Sequence, residues 1–176
     1  MDALELADYR EAVARLYLSP VGLDDFRAAR DELFARHPQS PIPVAERAGF
    51  PGLRYFPGVP ELVVEVPLRA RSGRLGIDTG GPDGLVSYER VGVLDTPWGP
   101  LSLWWIAAYG GGRYLTDTVK GTHGRGLQVL SADRVRLDFN YLYNPSCAYD
   151  SRWACPLAPR DNWLDVELPA GELTYH

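Results

Sequence analysis

Glu61-Leu62-Val63-Val64-Glu65-Val66-Pro67-Leu68 is where the chain changes its period, from helical spacing to strict alternation. Leu62, Val64, Val66 and Leu68 fall on one side of an extended chain, which predicts a strand that is apolar on one face. The same pattern repeats downstream. Ser72-Gly73 predicts a turn, Leu75 to Thr79 a second strand, and Gly80-Gly81-Pro82-Asp83-Gly84 another turn. Strands are predicted over Leu85–Leu94 and Leu101–Ala107, separated by Pro97-Trp98-Gly99-Pro100. Others are predicted over Arg113–Val119, Leu127–Leu130, Arg134–Phe139 and Leu164–Leu168. Strands this dense, joined by short turns, predict an antiparallel meander closing into a barrel or sandwich.

Upstream the period is helical. Leu6, Tyr9, Val13 and Leu16 recur at helical spacing over residues 2–18, and Ser19-Pro20-Val21-Gly22 ends that helix. A second helix is predicted over residues 24–36, with Asp24 and Asp25 at its positive end. Leu23, Phe26, Leu33 and Phe34 form its apolar stripe, and His37-Pro38 stops it. Pro38, Pro41, Pro43, Pro51, Pro57 and Pro60, set among Phe50, Leu53, Tyr55 and Phe56, predict an ordered loop rather than a linker. The expected architecture is α+β. It is a single domain over residues 1–176, helical over 1–37 and β-rich over 61–176, with a Pro-rich C-terminal flap.

Bulk properties narrow the function. The 176 residues are 45% hydrophobic and 23% charged, an ordinary globular balance with room for a core. A net charge of -5 and a pI near 5.2 disfavour a nucleic-acid partner, which requires clustered cations; the chain has a single lysine, Lys120, and its other cations are arginines. No apolar run reaches membrane-spanning length. Met1-Asp2-Ala3-Leu4-Glu5 is acidic, without the cationic start or apolar core of a signal peptide. The expected compartment is therefore the cytoplasm, where Cys147 and Cys155 are expected as thiols.

Phosphate-loop, zinc-protease, paired C-x-x-C and nucleophile-elbow motifs are all absent from the sequence. Gly110-Gly111-Gly112-Arg113 leads into a predicted strand rather than a helix N-terminus, so it reads as a turn or bulge. The densest polar-aromatic stretch runs from Leu137-Asp138-Phe139-Asn140 through Tyr141-Leu142-Tyr143-Asn144-Pro145 to Ser146-Cys147-Ala148-Tyr149. Val135, Leu137 and Phe139 should face the core, leaving Asp138 and Asn140 beside Arg134 and Arg136. If the aromatic tail folds over them, Asp138, Asn140 and Asn144 are buried and must find partners.

Three readings are open. In the leading one, a small polar or anionic metabolite is bound or acted on between the strand surface and the flap. Arg113, beside unhindered glycine backbone and followed by Tyr114, is then the anion anchor. Asp138 and Asn140 are polar contacts, while Tyr143, Asn144 and Tyr149 form the wall. Arg113 is equally suited to a salt bridge with an acidic side chain such as Asp138. In the second reading the same residues only lock the flap in a structural or interaction protein. In the third, Cys147 and Cys155 serve a thiol or metal enzyme, although two thiolates do not complete a tetrahedral zinc site. His123 is the sole internal histidine in that half of the chain. The tryptophans Trp98, Trp104, Trp105, Trp153 and Trp163 read as core and lid. No cofactor is indicated, and neither enzymatic activity nor oligomeric state follows from these residues.

Several of these motifs also carry a family resemblance. They are Gly112-Arg113-Tyr114-Leu115, Leu137-Asp138-Phe139-Asn140, Tyr143-Asn144-Pro145-Ser146-Cys147-Ala148-Tyr149, Cys155-Pro156-Leu157-Ala158-Pro159, Asn162 and Ala170-Gly171-Glu172. With His37-Pro38-Gln39-Ser40-Pro41 and Phe50-Pro51-Gly52-Leu53-Arg54-Tyr55-Phe56-Pro57, they resemble the domain-of-unknown-function family 1684 of bacteria and archaea. The resemblance implies a single domain with helices first and strands after, and no activity. One departure is that relatives carry an extra stretch, with a Pro-Phe-Arg-Asp-like run, before Gly-Arg-Tyr-Leu. Here Trp104-Trp105-Ile106-Ala107-Ala108-Tyr109 runs straight into Gly110. If that Arg and Asp belong to the family's site, this chain's function differs from theirs.

Overall fold

The computed structural model describes residues 3–78, 84–106, 125–151 and 158–176. Helix α1 (Ala3–Leu18) turns Val13 and Tyr17 inward at a four-residue spacing, with Tyr9 and Leu16 partly buried beside them. Helix α2 (Leu23–Arg36) carries Asp24 and Asp25 in its first turn, where carboxylates meet the positive end of the helix dipole. It buries Phe26, Arg30 and Phe34, so the middle of its inward stripe is a guanidinium rather than an aliphatic side chain. The helix stops at His37, whose backbone N–H donates to the Leu33 carbonyl.

The proline-rich loop is ordered, and one side chain largely accounts for that. Arg47, in the single turn α3 (Val44–Arg47), donates to the carbonyls of Ile42, His37, Pro38 and Ser40. Ile42 is fully buried at the centre of this loop.

A 3-10 turn (Pro60–Leu62) leads into strand β1 (Val63–Asp78), followed by β2 (Leu85–Thr96), β3 (Gly99–Ile106), β4 (Leu127–Ser131) and β5 (Arg134–Asp138). Every pairing is antiparallel, and the order across the sheet is β3-β2-β1-β5-β4. β1 serves two partners in turn. Val63 to Pro67 pair with β5, and Leu68 to Asp78 pair with β2. Ser72-Gly73, expected to reverse the chain, instead lies at a bulge. The ladder with β2 shifts register between Ala70 and Gly73 and then continues, so β1 bends without turning back. Gly92 sits at this crowded point, where an added Cβ would lie 2.7 Å from the Arg69 carbonyl oxygen.

The barrel expectation is corrected. β3 and β4 remain the two edges, so the five strands form an open sheet. Closure requires the first and last strands to pair, which local alternation does not encode. Leu164 to Leu168, expected as a strand, is irregular. The strand expected over residues 113–119 lies outside the described residues. A Pro-rich flap over the Asp138 face is not found in the described residues; Asn140 is instead met by the loop that precedes β1.

The aromatic segment after β5 joins three packed clusters. Phe139 and Leu142 pack with Leu62, Val66, Leu94, Val135 and Leu137 on the sheet, and Tyr141 and Tyr143 pack with Val13, Tyr17 and Phe26 of the helices. Tyr149 joins Phe34, Ile42 and Leu53 beneath the proline-rich loop. Burying each such ring is worth about 1.5–3 kcal/mol. The polar-aromatic composition of 139–149 thus reflects one segment serving the sheet side and the helix side together.

Candidate functional site

Arg30 and Glu172 form the most deeply buried charged pair among the described residues. Arg30 Nη1 donates to Glu172 Oε2 at 2.8 Å and to Tyr55 Oη at 3.2 Å, and Nη2 donates to Tyr149 Oη at 3.1 Å. Tyr149 in turn donates to Glu172 Oε1 at 2.5 Å, and the Asn144 backbone N–H donates to Oε2 at 3.1 Å. Burial pulls the Arg30 pKa down, but Glu172 and Tyr149 outweigh it and hold the guanidinium above its ordinary value. Burial also pushes the phenols of Tyr149, Tyr17 and Tyr9 well above the ordinary tyrosine value, with Arg30 opposing. The adjoining cavity, lined in part by Tyr9, Tyr17, Arg30 and Tyr149, has a volume of only about 30 Å³. That is room for about one water and not for a metabolite. The cluster holds α2 against the C-terminal segment.

Asp138 and Asn140 are also bonded to the protein itself. Asp138 caps the 3-10 turn Phe139–Tyr141 by accepting from the Asn140 backbone N–H at 3.0 Å. The Asn140 side chain accepts from the Val59 N–H at 2.8 Å and donates to the Val59 carbonyl at 2.9 Å and to Asp138 at 2.9 Å. That turn takes Asn140 off the exposed face of β5 and buries it. It lines an open groove of about 580 Å³ that also carries Asp24 and Asp25, a setting unfavourable to anions. Asn144 Nδ2 donates to the Leu173 carbonyl at 2.7 Å.

A different region leaves polar groups unanswered. In the β2–β3 register Arg90 lies opposite Trp104, with Tyr88 two residues along β2, so all three share one face of the sheet. The Arg90 guanidinium carbon sits 4.6 Å from the Trp104 ring centre, and the Tyr88 ring meets Trp104 edge-on at 6.2 Å. Tyr88 is fully buried. Its Oη, together with Arg90 Nε and Trp104 Nε1, is buried with no hydrogen-bond partner among the described residues. Arg27 and Arg125 also carry unpaired buried nitrogens, but among the described residues only here do three neighbouring side chains share the condition.

The C-terminal segment reaches this face through a 3-10 turn (Arg160–Asn162). Asp161 forms an ion pair with Arg90 Nη2 and accepts from Ser102 Oγ at 3.4 Å. The Asn162 side-chain amide caps the β3 edge, its Oδ1 accepting from the Ser102 N–H at 2.8 Å and its Nδ2 donating to the Ser102 carbonyl at 3.0 Å.

The expected site residues are thus dispersed. Asp138 and Asn140 belong to one network, while Asn144 and Tyr149 belong to another. Tyr143 packs between the helices. Arg113 and Tyr114 lie outside the described residues. Cys147 is disulfide-bonded rather than a thiol, which leaves it no thiolate for attack or ligation, and Cys155 lies outside the described residues. The disulfide runs against the thiols expected for a reducing compartment. No cluster of three or more metal-ligating side chains occurs among the described residues. No described helix is long and apolar enough to cross a membrane. Tyr88, Arg90 and Asp161 were not anticipated. Tyr88 and Arg90 alternate along β2, but only the pairing with β3 shows that they meet Trp104.

The family model for proteins of unknown function termed DUF1684 matches residues 48–173. A similar solved structure is the solution NMR structure of an uncharacterized protein from Haloarcula marismortui, 30% identical to this chain. The alignment covers 85% of this chain and 91% of that one, with a TM-score of 0.52. No curated protein matches the chain.

Proposed function

We propose that this chain, which belongs to the DUF1684 family, binds a small polar or anionic metabolite between its sheet and its C-terminal segment. The supporting observation is the trio of buried, unpaired donors on Tyr88, Arg90 and Trp104. A buried donor without an acceptor costs about 1–3 kcal/mol, and a bound acceptor removes that cost. Asp161 and Asn162 bring the C-terminal segment to the same face. Arg113 and Tyr114, which follow β3 in the chain, are proposed as additional contacts, with Arg113 the anion anchor. Asp138, Asn140, Tyr143, Asn144 and Tyr149 hold the surrounding wall in place. The whole chain is proposed to act as one folding unit.

The test is a thermal-shift screen of the full chain with small carboxylates and phosphates. At least one ligand should stabilise the wild type and have less effect on Tyr88→Phe and Arg113→Ala. If none stabilises the wild type more than both variants, the binding reading fails.

A second reading, a non-catalytic interaction protein, draws on the Arg30–Glu172–Tyr149 network, whose bonds all serve to fix the C-terminal segment. It predicts a protein that responds to no small molecule and loses partner binding when Tyr149→Phe loosens that segment.

A further inference from the structure

We infer that the β2–β3 site selects a monocarboxylate carried on an apolar body over a phosphate ester. This rests on the binding reading above and names its ligand class.

The donor set points to this choice. Two of the three unpaired donors, the Tyr88 phenol and the Trp104 indole, are neutral, and burial raises the Tyr88 pKa so that it remains a donor. The charge of Arg90 is already balanced by Asp161, and its Nε is a buried nitrogen left without a partner among the described residues. A carboxylate offers about four lone-pair sites to three donors and adds one negative charge. A phosphate monoester adds up to two, beside the carboxylate of Asp161, while Arg90, the described cation at the cluster, is already paired.

Backbone supply agrees. Phosphate sites draw on free N–H groups at helix N-termini or glycine-rich nests. Here the cluster stands on paired strands, with Tyr88 opposite Ile106 and Arg90 opposite Trp104 and a register shift only between Arg90 and Gly92. The surroundings are apolar as well. Val86, on the same face of β2 as Tyr88, is buried, and Leu75 lies directly opposite Tyr88 on β1. With the two aromatic rings, they make the neighbourhood of the donors largely apolar.

Isothermal titration of the full chain with benzoate, benzamide and phenyl phosphate separates the cases. Benzoate should bind at least about tenfold more tightly than phenyl phosphate, a gap of about 1.4 kcal/mol. Tyr88→Phe and Trp104→Phe should each weaken benzoate about tenfold, while Asp161→Asn narrows the gap by improving phenyl phosphate. Tyr88→Phe removes only an atom without a partner among the described residues, so loss of fold does not confound it. Phenyl phosphate binding as tightly as benzoate would overturn the ligand class and leave the binding reading standing. Benzamide matching benzoate would overturn the need for a negative charge. Binding of none of the three, with the donors answered only by water, would sink this inference. The broader reading would then rest on the wider screen. Benzoate binding that Tyr88→Phe and Trp104→Phe do not change would remove the site itself.

Discussion

Arg30 and Glu172 are 142 positions apart in the chain, yet Arg30 Nη1 donates to Glu172 Oε2 at 2.8 Å with both side chains almost wholly buried. The pair fastens α2 to the last few residues of the chain and gathers Tyr55, Tyr149 and the Asn144 backbone around it.

Glu172→Ala is expected to lower the unfolding free energy by about 3–5 kcal/mol, because it leaves a buried guanidinium without its counter-charge. Arg30→Met combined with Glu172→Leu should cost less than the sum of the single changes, since neither charge is then stranded. Urea denaturation of Glu172→Ala, and of the wild type, Arg30→Met, Glu172→Leu and their combination, checks this. Additive effects would mean that the two groups do not interact in solution.

Asn140→Ala is expected to cost about 1–3 kcal/mol, because the Val59 N–H and carbonyl both lose their partner. Asp138→Ala removes a cap from a 3-10 turn and should cost about 0.5–2 kcal/mol. Because both residues only hold the wall in place, benzoate affinity should fall less in either variant than in Tyr88→Phe. A shift in benzoate affinity with unchanged melting temperature would return both residues to the site.

Much of the architecture was legible before any coordinates. The alternation of Leu62, Val64, Val66 and Leu68 and the two helical stripes follow from spacing alone, because each periodicity reports one buried face. Ser72-Gly73 was misread because a bulge and a turn use the same residues; what separates them is whether β2 continues to pair on the far side. Arg30 was hidden because a lone arginine on a helix looks solvent-facing until its partner arrives from the opposite end of the chain. The Tyr88–Arg90–Trp104 group was equally hidden, since inter-strand register is a long-range property. Asn140 was recognised as a buried group in need of partners, but its partner Val59 lies 81 residues away.

Gly171→Ala should destabilise by about 2–5 kcal/mol, combining left-handed backbone with overpacking. Gly171 has φ +68°, and a Cβ there would lie 2.4 Å from the Leu142 carbonyl oxygen. That oxygen accepts from the Glu172 N–H at 2.9 Å, so any retreat of Leu142 also disturbs the buried pair. A melting temperature within error of the wild type would show that the Leu142–Gly171 contact is looser than described.

Alkaline pH should unfold the protein through its buried tyrosines. Burial raises the folded-state pKa of Tyr149, Tyr17 and Tyr9 above the unfolded value of 10.0. The unfolded chain therefore loses these protons first. The stabilisation is complete below pH 10 and is lost progressively as pH rises toward the folded values. Tyrosinate absorbance near 295 nm should show a late component that coincides with loss of circular dichroism. Complete titration of all ten tyrosines while the fold persists would contradict their burial.

Tyr88→Phe is expected to leave the ligand-free protein as stable as the wild type or stabilise it by about 1 kcal/mol. Removing a hydroxyl normally strands its partner, but Tyr88 Oη has none among the described residues, so the substitution removes an unpaid desolvation cost and keeps the ring against Trp104. The same change should weaken benzoate binding, so one atom would act in opposite directions on stability and on binding. That opposition is the signature of a group kept for a ligand at the expense of the free fold. Chemical denaturation with and without benzoate measures both terms on the same two proteins. If Tyr88→Phe instead destabilises the free protein by more than about 1 kcal/mol, the hydroxyl already has a partner, such as a buried water, and the main support for a binding site is gone.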